Sequence, residues 1–253
     1  MSPPLILLSN DDGARAPGLA ALAEAVKSTL AAEVWVVAPE RQRSAASHTI
    51  TLHKPLRVKK IGERQFATSG TPVDCVYLGI HELCPRRPDL VLSGVNDGYN
   101  LGADVFYSGT VAAAAEGGLR GVPAIAVSLC PGRDGFADAA QLAARLAGAL
   151  LASPPPAQTV LNLNVPAGGA RGYRWTCLGE RRYADVVSAR QDPRGGTYYW
   201  IGGGIDEPGV VPGSDCEAVA AGVASITPLF LDMTCRPILD AEPKWQLPGF
   251  DLA

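Results

Sequence analysis

Short apolar runs, separated by alanine-rich amphipathic stretches, pattern the first two thirds of the chain. Leu5 to Ser9, Glu33 to Ala38, Leu90 to Ser93, Ala124 to Leu129 and Val160 to Val165 are apolar at most positions, without strict alternation. Such runs predict strands buried on both faces. Leu19 to Leu30, Thr110 to Leu119 (with Ser108 or Gly109 at its start) and Phe136 to Leu151 predict helices. Thr71-Pro72 opens a further helix running to His81, with threonine as N-cap and proline at the first helical position. This rhythm predicts an α/β fold: a Rossmann-like, mostly parallel sheet with helices on both faces.

Pro154-Pro155-Pro156 reads as a helix stop, because a strand follows at once. Beyond Pro166 the pattern changes. Gly168-Gly169, Gly195-Gly196 and Gly202-Gly203-Gly204 punctuate β-rich pieces such as Thr197 to Ile201, followed by Ala218 to Gly222 and Ala224 to Pro228. We read one domain, residues 1–253, with an α/β core over 1–166 and a β-rich extension over 167–253. Tyr198-Tyr199-Trp200 fits a hairpin packed on another subunit and self-packing equally well.

Charge narrows the function classes. A net charge of −3 gives no bulk attraction for nucleic acid or anionic membrane. The basic run from Lys54 to Lys60 reads as a solvated strand or loop. No run reaches the roughly 20 apolar residues of a membrane helix, and Leu5 to Leu8 lack a basic leader. Cys75, Cys84, Cys130, Cys177, Cys216 and Cys235 are dispersed without a CxxC pair, which removes the zinc spacing and predicts mostly reduced, buried thiols in a cytoplasmic protein. Neither GxxxxGK[ST] nor a clean GxGxxG occurs.

The candidate chemistry lies where strands end. Leu5 to Leu8 runs into Ser9-Asn10-Asp11-Asp12-Gly13, and Val91-Leu92 into Ser93-Gly94-Val95-Asn96-Asp97-Gly98. In open α/β sheets, ligands bind beyond the carboxyl ends of the strands. Adjacent carboxylates at Asp11 and Asp12 repel unless a cation or proton lies between them, although Asn-Asp-Asp-Gly is also ordinary turn material. With Asn96 and Ser44 they make an all-oxygen set that suits Mg²⁺, Mn²⁺ or Ca²⁺. Ser108-Gly109-Thr110 opens an alanine-rich helix, where free N–H groups and the dipole's positive end favour phosphate. Ser69-Gly70-Thr71-Pro72 is a weaker start of the same kind. His48 is a candidate proton donor or phosphate contact, or a structural histidine; His81 reads as structural.

At these residues the sequence closely resembles the stationary-phase survival protein SurE family of metal-dependent nucleotidases. The likeness runs through Ser9 to Gly13, Ala38 to Ser44, Ser69 to Val76, Ser93 to Gly102 and Tyr107 to Val111, then Tyr198 to Trp200 and Ser225 to Leu229. It implies one divalent ion held by Asp11, Asp12, Ser44 and Asn96, with phosphate contacts from Ser108, Gly109 and Thr110. It also implies release of phosphate from nucleoside 5'-monophosphates, and a homodimer or homotetramer exchanging C-terminal β segments. Asp11 or Asp12 would act on the attacking water, with Asn10 and His48 as further candidate substrate contacts. Activity on polyphosphate stays open, as do two alternatives: a nucleotide-binding regulator without turnover, and a covalent aspartyl-phosphate mechanism. Asp97 adds a negative charge where the family varies.

Overall fold

The five apolar runs lie side by side at the centre of a nine-stranded sheet in the computed structural model, which describes residues 3–132, 134–181, 186–202 and 211–241. In chain order the elements begin β1 (Leu5–Ser9), α1 (Pro17–Thr29), β2 (Glu33–Pro39), β3 (Val58–Gly62), β4 (Gln65–Thr68) and α2 (Pro72–Leu78). They continue with β5 (Leu90–Asp97), α3 (Gly109–Leu119), β6 (Ala124–Leu129), α4 (Phe136–Ala152), β7 (Thr159–Val165) and β8 (Tyr173–Trp175). The last are β9 (Val186–Gln191), β10 (Thr197–Gly202), α5 (Asp215–Ala220), β11 (Ala224–Phe230) and α6 (Arg236–Asp240). The sheet order is β3-β4-β2-β1-β5-β6-β7-β11-β8. Neighbours run parallel from β4 to β7, while β3 and β11 run antiparallel to β4 and β7.

Each central strand is apolar on both sides because each side is covered. Ile6, Leu8, Leu90, Leu92, Ile125 and Leu163 pack with α1 and α4. Leu7, Val37, Val91, Ala124 and Val160 pack with α2 and α3 on the other face. The chain leaves β1 toward β2 on one side, whereas β5 continues the sheet on the other, with Ser9 beside Ser93 in register. That reversal opens a crevice beyond the carboxyl ends of β1 and β5.

One residue too many in β5 shapes the crevice. Ser93 faces Ala126 of β6, but Asn96 faces Ser128, so a bulge lies between them. Gly94 makes it feasible: its φ is +134°, and a Cβ there would stand 2.3 Å from the Val127 carbonyl oxygen.

Several boundaries depart from expectation. The helix expected to reach His81 is α-helical to Leu78, then continues as a π-helical turn over Gly79–Leu83. Ala218 to Gly222, read as β, instead belongs to α5 and its exit turn, because Ser214 caps the helix by accepting the Glu217 N–H at 3.2 Å. The basic run ends in β3, an exposed edge strand. Only Cys75 and Cys216 are buried, while Cys177 and Cys235 are exposed, although all six thiols are free. The β extension does join the main sheet, through β11 and β8. β9 and β10 form a separate antiparallel hairpin that is exposed at every residue; Gly203-Gly204 fall outside the described residues.

Candidate active site

Immediately after β1 the chain turns on Asn10, whose Oδ1 accepts the Gly13 N–H and whose Nδ2 donates to the Gly13 carbonyl, both at 3.1 Å. Asn10 is fully buried, and its amide is committed to this turn rather than turned to a ligand. The turn drives Asp11 inward. One carboxylate oxygen of Asp11, Oδ1, accepts the Thr110 hydroxyl hydrogen, and its carbonyl accepts the Arg43 N–H at 2.7 Å. Burial pushes the Asp11 pKa up to about 6; the Thr110 hydrogen bond opposes the rise and the neighbouring charge of Asp12 adds to it.

Asp12 is half-buried beside the end of β5. Burial raises its pKa, against the hydrogen bond it takes from the Asp97 backbone, while the Asp97 carboxylate adds to the rise. Gln42 Nε2 donates to Asp12 Oδ1 at 3.3 Å. Asn96, next to Asp97, donates from Nδ2 to the Gly98 carbonyl at 2.8 Å, and its Oδ1 takes no hydrogen bond among the described residues.

Ser44 lies exposed in the loop after β2, between two anchors. On one side is the Arg43–Asp11 backbone bond. On the other, the Ser47 hydroxyl donates to the Phe106 carbonyl at 2.6 Å and the Ser47 N–H to the Tyr107 carbonyl at 3.2 Å. A third tie is His48, whose Nε2 meets Glu116 Oε2 at 2.9 Å. Glu116 is buried within α3; burial would raise its pKa, but hydrogen bonds from His48 and Arg120 outweigh that and hold it below the usual carboxylate range. His48 therefore fastens the Ser44 loop to α3.

The start of α3 closes the constellation. Ser108 caps it by accepting the Val111 N–H at 3.0 Å, leaving the Gly109 and Thr110 N–H groups without acceptors among the described residues. Gly109 lets the helix press on the acid: a Cβ there would stand 2.8 Å from Asp11 Cβ and 3.0 Å from Asp11 Oδ2. The Thr110 hydroxyl serves Asp11. What α3 offers an anion is thus mainly backbone N–H. The other helix start has no such opening, since Thr71 and Asp74 form a closed capping box. His81 packs against Tyr77 with tilted rings, their centres 4.5 Å apart. Alongside α3 runs an apolar cleft of about 530 Å³, bordered by His48, Phe106, Ala112, Leu229 and Met233.

Both pairs that fix Asp11 and the Ser44 loop, Thr110–Asp11 and Glu116–His48, escape sequence reasoning; Glu116, the sole acidic residue of the alanine-rich α3, was the available signal. No group of three or more His, Cys, Asp and Glu side chains among the described residues is arranged to hold a metal ion. The donor set nevertheless fits a hard cation: two carboxylates disfavoured as anions by burial, and an amide oxygen without a donor.

The family described as "Survival protein SurE" matches residues 6–185. A relative from Anaeromyxobacter dehalogenans (strain 2CP-C), named 5'-nucleotidase SurE, is 53% identical over 250 residues, covering 97% of each chain. One of the same name from Myxococcus xanthus (strain DK1622) is 49% identical over 98% of this chain and 96% of its own. The crystal structure of the SurE protein from Aquifex aeolicus superposes with a TM-score of 0.83 at 39% identity, covering 94% of this chain and 98% of that one.

Proposed function

The chain belongs to the SurE family, and on that premise we propose that it is a 5'-nucleotidase, a phosphohydrolase that releases phosphate from nucleoside 5'-monophosphates. One observation carries the reading: the helix start that can bind an anion is packed directly on the buried carboxylate of Asp11. A phosphate and two aspartates repel at such close quarters, so the arrangement is productive only with a cation between them. Asp11, Asp12, Ser44 and Asn96 would hold one divalent ion, Mg²⁺ or Mn²⁺, which supplies charge neutralisation for the phosphoryl group and a water of lowered pKa.

The chain's own residues then have separable tasks. The Gly109 and Thr110 N–H groups bind phosphoryl oxygens, aided by the positive end of the α3 dipole. Thr110 fixes the rotamer of Asp11. Asp12, the less buried acid, is the one to orient or deprotonate the attacking water. The Asp11 Oδ1 is already engaged by Thr110, which disfavours it as a nucleophile and favours direct attack by water over an aspartyl-phosphate.

The exposed β9–β10 hairpin supports a homo-oligomer, dimer or tetramer. Six free thiols support a reducing, cytoplasmic setting. No helix of the described residues is long and apolar enough to cross a membrane. The deciding experiment measures inorganic phosphate released by pure protein from nucleoside 5'-monophosphates and from polyphosphate, after chelation and after adding back Mg²⁺, Mn²⁺ or Ca²⁺. Release from monophosphates, abolished by chelator and restored by Mg²⁺ or Mn²⁺, is expected. Metal-tight binding of nucleotide without release would make the protein a nucleotide-binding regulator instead.

A further inference from the structure

The segment between Asn96 and Ser108 carries a candidate metal donor at one end and the phosphate-binding helix start at the other, yet its anchors lie far along the chain. Asn164 Oδ1 accepts the Asn100 N–H at 2.9 Å, and Asn164 Nδ2 donates to the Asn100 carbonyl at 3.1 Å. One side-chain amide thus serves both backbone groups of residue 100, as a neighbouring strand would. Asn162 Nδ2 donates to the same carbonyl at 2.8 Å, and Asn100 Nδ2 donates to Ser128 Oγ at 2.7 Å. Two residues on, the Gly102 N–H donates to Asp215 Oδ2 at 3.0 Å, while Asp215 Oδ1 accepts the Gly179 and Cys216 N–H groups at 2.8 Å.

Ser128, Asn162, Asn164 and Asp215 are all fully buried. Two amides on a central strand cost desolvation that valine would not, and Asn162 Oδ1 still lacks a partner. Apolar residues in their place would strip the Asn100 N–H and carbonyl of these partners, so the two amides fix where residue 100 sits. We propose that Asn162, Asn164 and Asp215 are positioning residues: they set the height of the 96–108 segment over the sheet, and hence the distance between the Asn96 amide and the Gly109–Thr110 N–H groups. This inference rests on the phosphohydrolase reading above.

The test compares wild type with Asn164→Ala, Asn164→Asp and Asn162→Ser. Leu163→Val, on the same strand but facing α1 and α4, is a matched stability control. Calorimetry gives the Mn²⁺ dissociation constant, and saturating Mn²⁺ with adenosine 5'-monophosphate gives kcat and KM, at a temperature where circular dichroism shows each variant folded. Asn164→Ala is expected to lower kcat by about 10–100-fold and weaken Mn²⁺ binding severalfold, with KM nearly unchanged. Asn164→Asp, which keeps the acceptor for the Asn100 N–H, should fall between it and wild type. Asn162→Ser should move the same quantities less, and it carries the test if Asn164→Ala does not fold. Leu163→Val should lower Tm and leave kcat within about twofold. Asparagine variants with wild-type kcat and Mn²⁺ affinity would overturn the inference alone, as would an equal kcat loss in Leu163→Val. A wild type without Mn²⁺-dependent phosphate release would overturn the nucleotidase reading with it.

Discussion

A carboxyl group buried under a helix start and beside a second acid is destabilising in its ionised form. For Asp11 the sign follows from its folded pKa of about 6 against an ordinary 3.8. Below 3.8 the group is protonated folded or unfolded and costs nothing. As pH rises from 3.8 through 6, the folded state holds a proton longer than the unfolded one, so stability is lost, reaching about 3 kcal/mol above that window. In metal-free protein, Asp11→Asn should therefore abolish phosphatase activity yet raise Tm at pH 8 by roughly 5–10 °C, an advantage that vanishes near pH 3.5. Melting curves at the two pH values check this; an asparagine variant no more stable than wild type at pH 8 would sink it. The acids themselves were legible in the sequence, because side chains just past an apolar run fall at a strand's carboxyl end. Their partners were not. Thr110 and Asp11 are 99 residues apart, and His48 and Glu116 are 68 apart, separations that no local spacing rule reaches.

Helix α3 is the element on which the candidate site turns, since its first turn presents backbone N–H groups beside Asp11 and its flank fastens the Ser44 loop. Gly109 has an ordinary helical backbone, so the requirement for glycine is spatial. Alanine there gains about 1 kcal/mol of helix propensity but meets the Cβ of Asp11, which cannot swing aside, at 2.8 Å. Gly109→Ala should thus cut kcat about 100-fold or more and weaken Mn²⁺ binding, with Tm within a few degrees of wild type. Activity within twofold would mean that α3 stands further from Asp11 than its packing requires. The sequence predicted α3 and α4 from their alanine-rich stretches and the five central strands from short continuous apolar runs, the mark of strands covered on both faces. It missed β4 and misread α5, a six-residue helix whose alanine and valine suit either state and whose only decisive signal is the Ser214 cap.

For the molecule as a whole, the β9–β10 hairpin is the feature a single chain leaves unexplained. Tyr198 and Trp200 lie on one of its faces, Tyr199 and Ile201 on the other, and all four are exposed, Trp200 by 62% and Ile201 by 90%. A hairpin lying on its own chain would bury one face; this one presents aromatic and aliphatic groups on both. Two strands alone are marginal in water, and an apolar hairpin exposed on both faces is the kind of surface a second copy can cover. Sedimentation of wild type at micromolar concentration should accordingly give a dimer or tetramer. Trp200→Glu, which sets a charge in the middle of the apolar strand, should move it toward monomer and make the 186–202 segment sensitive to protease. The candidate site sits at the crevice of β1 and β5, on strands other than those of the hairpin, so kcat per folded chain should fall far less than association does. A wild type that sediments as a monomer, or a Trp200→Glu variant that associates as tightly as wild type, would remove the hairpin from the interface.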